Sequence, residues 1–218
     1  GLEEGPVDMD PVLGVIAILS LAGGAGAAGA LNMAYDADID AVMQRTRKRP
    51  IPRGAVSRAD AYGLGIIASI LSVMMMALAS NYLAAGLLAF SIFFYAVIYS
   101  MYLKRSTPQN IVIGGAAGAF PPMIGWVAAT GHISLDAFIL FMIIFLWSPP
   151  HSWALALYKC GAYAAAGLPV MPVAKGPKSS RLPFLLFPIV LMIFAGARRL
   201  TGLGGIPYAL TSLGGRAP

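Results

Sequence analysis

Long apolar runs alternate with short polar stretches along most of the chain. The longest run, residues 61–103, contains no charged side chain. A helix of that length, rising about 1.5 Å per residue, is roughly twice as long as a hydrocarbon core of about 30 Å requires, so it predicts two helices joined near Ser80 and Asn81. The same interpretation of the other runs predicts six membrane spans: 12–35, 61–79, 82–103, 111–129, 137–158 and 182–197.

These spans predict an all-α, polytopic transmembrane helical bundle that forms a single domain over residues 1–218. Glycines in the first and fourth spans predict close packing between helices. They are Gly23, Gly24, Gly26, Gly29, Gly114, Gly115 and Gly118. The proline pairs Pro121–Pro122 and Pro149–Pro150 lie inside two spans, where we expect them to kink or break the helices. Broken membrane helices usually border a cavity lined by protein.

Composition agrees with a lipid environment, because 58% of the residues are hydrophobic and only 11% are charged. The cations are concentrated in the connections after the first, third and fifth spans, which lie on one side if the spans alternate. The positive-inside rule makes that side cytoplasmic, and we expect the cavity to open there. The net charge of +6 is therefore assigned to orientation in a lipid bilayer, and no nucleic-acid partner is expected. Arg198 and Arg199 fall on the outer side, so we expect 198–218 to be atypical.

A polar triplet ends the first span: Asn32, Asp36 and Asp40. Residues four apart on a helix are offset by only about 40° around the axis, so these three side chains share one face while Asp38 points elsewhere. Carboxylates at a membrane are costly without a cation, and hard oxygen ligands suit Mg²⁺. The triplet therefore predicts a magnesium site. The alternative is a polar helix end whose aspartates pair with nearby arginines.

Two basic segments lie on the same predicted side of the membrane. One contains Arg45, Lys48 and Arg49 and is stiffened by two prolines; the other contains Lys104 and Arg105. Each alone is typical of a positive-inside anchor. Beside a magnesium site, however, arginine and lysine also suit the oxygens of a diphosphate.

This combination favours ionisation of an allylic diphosphate, because metal and cations neutralise the leaving group and aromatic faces stabilise the developing carbocation. Tyr99, Tyr102, Trp147 and Trp153 are candidate faces, although each is also typical of packing or an interfacial belt. The predicted catalytic residues are Asp36, Asp40, Tyr99, Tyr102 and Lys104.

Four blocks of sequence resemble the UbiA-type membrane prenyltransferases and, more narrowly, the heme O synthases (protoheme IX farnesyltransferases). The blocks are 32–54, 102–110, 147–151 and 166–173, and the resemblance extends over about residues 12–176. It implies transfer of a farnesyl group from farnesyl diphosphate to a vinyl group of protoheme IX, giving heme O, with Mg²⁺ assisting the loss of diphosphate. It also implies a bacterial inner (plasma) membrane protein. His151 and Trp153 are possible heme contacts, since a histidine can bind heme iron or a propionate. The alternative is that His151 is hydrogen-bonded within a broken helix.

The chain departs from this family in three respects. We expect the first transmembrane helix of the family, and helices at its C-terminal end, to be missing from the sequence given. The second acidic motif of the family implies an acidic residue just before Tyr163, where this chain has Ala162. Three alternatives stay open: prenylation of a quinone precursor or chlorophyllide, an inactive truncated homologue, and a transporter. A transporter is disfavoured because transport paths usually carry ionisable groups near the midplane.

Overall fold

The computed structural model describes residues 9–44, 46–107, 109–158 and 181–197, and within these ranges every regular element is helical. The helices are α1 (Pro11–Tyr35), α2 (Ala37–Val42), α3 (Arg58–Ala79), α4 (Tyr82–Ser106), α5 (Asn110–Thr130), α6 (Leu135–Tyr158) and α7 (Arg181–Ala197). The all-α prediction is confirmed.

Side-chain caps explain where several helices begin. The Asp10 carboxylate accepts the Val12 backbone N–H at 2.8 Å at the start of α1, and Pro11 occupies the first helical turn. Asn81 accepts the Ala84 N–H at 2.8 Å, and its amide nitrogen also donates to the Val127 carbonyl at 2.8 Å. Asn81 thus begins α4 and ties it to the end of α5. The predicted junction near Ser80 and Asn81 is confirmed.

Five helices within the described ranges are long and apolar enough to cross a membrane: α1, α3, α4, α5 and α6. They match the first five predicted spans. Their outer faces carry large apolar side chains such as Ile18, Ile67 and Leu78, which suit contact with lipid. The sixth predicted span is the helix α7, whose 17 residues are fewer than the roughly 20 that usually cross a bilayer. The chain is an integral membrane protein.

The space around each glycine shows which of the predicted glycines allow helices to pack closely. A methyl group added at Gly23 would lie 2.6 Å from the Ser72 hydroxyl, so Gly23 allows α1 and α3 to approach closely. A methyl group at Gly24 would lie 2.8 Å from a Leu88 methyl carbon, on α4. Among the described residues, Gly26, Gly29 and Gly118 would meet nothing within 4 Å, so the packing prediction is wrong for these three.

Neither proline pair breaks its helix: α5 runs through Pro121–Pro122 and α6 through Pro149–Pro150. Membrane helices tolerate proline where neighbouring groups satisfy the freed backbone, and the prediction of a broken helix is wrong. The irregular backbone lies instead in α4, whose residues Phe94–Leu103 are π-helical. Such wide turns occur often at functional sites.

Candidate functional site

Asp36 lies at the junction of α1 and α2 and is fully buried. Asn32, one turn earlier, donates its Nδ2 to Asp36 Oδ2 at 2.8 Å. The ammonium of Lys104, from the end of α4, donates to the same Oδ2. Asn32 therefore supports the carboxylate through its nitrogen, while its oxygen is the atom suited to bind Mg²⁺. Asn32 and Lys104 thus both contact Asp36, as the sequence predicts.

Only one of the two carboxylate oxygens of Asp36 is used in the ion pair with Lys104. Oδ1 is buried and accepts no hydrogen bond from the part of the chain that the structure describes, and Arg105 Nη2 lies 3.6 Å from it. A buried acceptor left without a hydrogen bond is uncommon in proteins. Its chemistry fits a hard cation such as Mg²⁺. Among the described residues no three His, Cys, Asp or Glu side chains cluster, so such an ion would take its other oxygens from water or a phosphate.

Asp40 is also buried and receives a second cation. Arg49 Nη1 lies 2.7 Å from Asp40 Oδ2, and the Thr46 hydroxyl donates to the Asp40 carbonyl at 3.1 Å. These contacts fold the basic segment back over α2. Two buried carboxylates one helical turn apart, Asp36 and Asp40, are thus each paired with a cation from another part of the chain.

Asp38 differs from this pair of carboxylates because its side chain is 54% exposed, although Arg105 Nη2 lies near both Asp38 and Asp36. Arg105 binds it with both ends of the guanidinium, at 2.8 and 2.9 Å, and Arg58 lies 3.9 Å away. The hydrogen bonds from Arg105 hold the pKa of the Asp38 carboxyl below its ordinary value of 3.8. The Arg105 guanidinium also lies 5.2 Å from the centre of the Tyr35 ring. The alternative of a polar helix end whose aspartates pair with nearby arginines therefore has support at Asp40, which Arg49 contacts at 2.7 Å, and Asp38 is paired with Arg105 in the same way.

Tyr95 and Tyr99 form a stacked aromatic pair on α4. Their rings stack with centroids 5.5 Å apart, and the Tyr99 ring packs against Gly114. Both tyrosines border a cavity of about 260 Å³ between α4, α5 and α6, which Ser148 and Ser152 also line. Tyr99 was predicted from the sequence, whereas Tyr95 was not. The four-residue spacing between them was the available signal.

Other predicted residues lie elsewhere. Tyr102 is 68% exposed and Lys48 is exposed, and no described contact joins either side chain to Asp36 or Asp40. Arg45 lies outside the described residues, as do Ala162 and the block 166–173.

The two possible heme contacts, His151 and Trp153, lie on different faces of α6. His151 is exposed and stacks on Trp147 with ring centroids 5.8 Å apart. Trp153 is 1% exposed and packs edge-on against Phe187 of α7. Residues two apart on a helix do not share a face, so the structure does not bring His151 and Trp153 together.

The sequence matches the UbiA prenyltransferase family over residues 4–216. The chain belongs to this family. A relative from Maricaulis maris named protoheme IX farnesyltransferase is 79% identical over 217 residues, covering 100% of this chain and 66% of the relative. Another with the same name, from Dinoroseobacter shibae, is 58% identical and covers 98% of this chain and 68% of the relative. The chain thus spans about two thirds of the length of these relatives.

A solved UbiA homologue from Archaeoglobus fulgidus, bound to DMAPP and Mg²⁺, has the same fold. It superposes with a TM-score of 0.72 over 95% of this chain and 73% of the homologue, at 18% sequence identity. This similarity shows that the UbiA fold is shared. The resemblance found in the sequence blocks is therefore confirmed at the level of the family and of the fold.

Proposed function

We propose that this chain transfers a farnesyl group from farnesyl diphosphate to a vinyl group of protoheme IX, giving heme O. The observation that carries the proposal is the buried Asp36 carboxylate, which lies among an amide and two cations at one end of an apolar helical bundle. Two relatives that share most of this sequence bear the name of that activity. The solved homologue bound to DMAPP and Mg²⁺ supports the class of substrate.

The polar end of the bundle would hold the diphosphate. Asp36 and Asp40 would bind Mg²⁺ with help from Asn32, and the bound metal supplies positive charge that stabilises the departing diphosphate. The cations of the two basic segments would bind the remaining phosphate oxygens. They are Arg45, Lys48, Arg49, Lys104 and Arg105.

The bond between farnesyl C1 and the diphosphate oxygen breaks, and its electron pair leaves with diphosphate. C1 then bonds to the terminal carbon of the vinyl group, and the cation formed at the adjacent carbon is captured by water, which releases one proton to solvent. The product carries a hydroxyethylfarnesyl side chain. The stacked faces of Tyr99 and Tyr95 border the cavity where the allylic cation would develop.

The acceptor is proposed to contact α6. His151 and Trp147 form a stacked, exposed pair that offers a flat aromatic and imidazole surface to a porphyrin. Trp153, by contrast, is buried against Phe187, which suits a packing role. We place the chain in a bacterial inner membrane with Asp36 facing the cytoplasm, since the cations near that end match the positive-inside pattern.

The test is incubation of the purified chain with heme, farnesyl diphosphate and Mg²⁺, followed by mass analysis of the heme. The full-length Maricaulis maris relative is the matched positive control. The expected product is heme O, and it requires all three additions. A prenylated quinone precursor or chlorophyllide in parallel incubations, with unchanged heme, would contradict the proposed acceptor. No product from this chain, with heme O formed by the relative, would contradict activity in the chain.

A further inference from the structure

The two carboxylates suited to bind a metal ion are already held by cations of the chain itself. Lys104 donates to Asp36 Oδ2, and Arg49 lies 2.7 Å from Asp40 Oδ2. Both aspartate side chains are almost fully buried, and 17% of the Lys104 side chain is exposed. The same two cations are candidates for binding diphosphate. Each therefore has two competing partners within the site.

We propose that Lys104 and Arg49 are exchangeable counter-ions, which must leave Oδ2 of Asp36 and Oδ2 of Asp40 before those two oxygens can also bind a metal ion. This proposal rests on the proposed use of the site for a metal and a diphosphate. The expected consequence is that the metal and the diphosphate bind cooperatively, and each binds weakly alone. The metal ion and the diphosphate are therefore expected to bind to the site together.

Burial makes it costly for Lys104 to leave Asp36 without a new partner. Removing one member of a buried ion pair is strongly unfavourable, because the other charge is left without compensation. If Lys104 left Asp36 with no anion to receive it, its ammonium would lose its partner in a mostly buried position. A diphosphate supplies that anion, while a divalent cation replaces the ammonium at Asp36. With both exchanges, the released ammonium binds the diphosphate and the metal ion takes its place at Asp36, whereas with the metal ion alone the ammonium has no anion to bind.

Coupling of this kind is reciprocal: the factor by which diphosphate tightens metal binding equals the factor by which metal tightens diphosphate binding. Lys104 is the stronger of the two candidates, since it shares Oδ2 with Asn32 at a fully buried carboxylate. Arg49 is 33% exposed, so water compensates its release from Asp40 in part. We expect the larger share of the coupling at Lys104.

The experiment measures Mn²⁺ binding to the full chain in detergent, by the paramagnetic resonance signal of free Mn²⁺, with no diphosphate or heme present. Lys104→Gln removes the charge that competes for Asp36, so we expect its Mn²⁺ affinity to rise about tenfold over the wild type. A second titration uses inorganic diphosphate alone, and there the same variant should bind more weakly. Arg49→Gln should raise Mn²⁺ affinity by a smaller factor, and it also serves as the independent test should Lys104→Gln misfold.

Arg53→Gln is the matched control, because Arg53 is an exposed cation of the same connection and no described ion pair includes it. It removes one positive charge without freeing a carboxylate. An equal rise in Mn²⁺ affinity in Arg53→Gln would mean that general charge causes the effect, and the exchange would be wrong. Folded Lys104→Gln and Arg49→Gln variants with wild-type Mn²⁺ affinity would also overturn it. These titrations include no heme, so they succeed or fail independently of whether heme O is made.

Discussion

Asn32 and Ser100 are separated by 68 positions and joined by a hydrogen bond of 2.8 Å from Asn32 Nδ2 to Ser100 Oγ. Asp36 and Lys104, one turn further on, are also 68 positions apart and in contact. α1 and α4 therefore lie side by side and run in the same direction. Over this turn, each contacting residue of α4 is 68 positions after its partner on or just after α1. The Ser100 hydroxyl donates to the Tyr95 carbonyl at 2.8 Å, which links this register to the π-helical part of α4.

Ser100→Ala should weaken both the fold and the site. The change removes the acceptor of Asn32 Nδ2 in a fully buried position, so we expect a loss of about 1–3 kcal/mol in the free energy of unfolding. Thermal unfolding in detergent, combined with titration of inorganic diphosphate and Mg²⁺, measures both effects. Ser20→Ala is the control, because its buried hydroxyl bonds only to the Ile16 carbonyl of its own helix. Equal effects of the two variants on diphosphate binding would refute the supporting role of Ser100.

Asp36→Asn should remove most of the activity, because the variant keeps the size of the side chain but loses the charge that binds a cation. We expect turnover to fall on the order of a hundredfold, the usual scale for the loss of one strong electrostatic contact in an active site. Asp38→Asn also loses one charge, but at a side chain that is 54% exposed. Its pair with Arg105 should contribute about 0–1 kcal/mol, so a loss of less than tenfold is expected. Heme O formation measures both, and comparable losses would contradict the assignment of Asp36 as the central carboxylate.

Gly114→Ala should displace the Tyr99 ring. A methyl carbon at Gly114 would lie 2.2 Å from Tyr99 Cδ2, which is too close for any side chain to tolerate without movement. Overpacking of this kind costs about 1–3 kcal/mol. Gly118, one turn later, has nothing within 4 Å of the added methyl, so Gly118→Ala should be neutral or stabilise the helix by up to about 1 kcal/mol. Thermal unfolding of the two variants distinguishes them, and similar unfolding temperatures would show that the Tyr99 ring moves at little cost.

The site was predictable where helical spacing and sidedness determine it. The four-residue spacing of Asn32, Asp36 and Asp40, together with the cations at the ends of other spans, was sufficient to predict that Asp36 meets Lys104. The partner of Asn32 was also within reach of this reasoning. Ser100 precedes Lys104 by four residues, as Asn32 precedes Asp36, so two parallel helices in one register bring both pairs together.

Other features depend on tertiary packing that spacing does not encode. The sequence Phe94–Leu103 contains neither proline nor glycine, so nothing in it signalled a π-helical turn. The proline pairs gave the opposite signal, yet α5 and α6 remain continuous, because neighbouring groups in a bundle can satisfy a freed carbonyl. Similarly, Gly23 and Gly26 look alike in the sequence, and only the position of α3 makes Gly23 a packing residue.

Tyr99→Phe and Tyr99→Leu together test whether an aromatic face stabilises the allylic cation. The ring of Tyr99 stacks on Tyr95 and borders the cavity of about 260 Å³, so Phe keeps the face and Leu removes it. A cation over a ring shielded from water gains about 2 kcal/mol, which corresponds to roughly a thirtyfold slower turnover for Tyr99→Leu. Tyr99→Phe should retain most of the wild-type rate.

Tyr82→Leu is the control for loss of a tyrosine ring, because Tyr82 is 88% exposed at the beginning of α4, far along the helix from Tyr99. Single-turnover heme O formation with saturating farnesyl diphosphate isolates the chemical step from binding. A loss in Tyr99→Phe as large as that in Tyr99→Leu would assign the effect to the hydroxyl. Wild-type rates in both variants would mean that no charge develops against this ring, and the cation would then have to be stabilised elsewhere in the bundle.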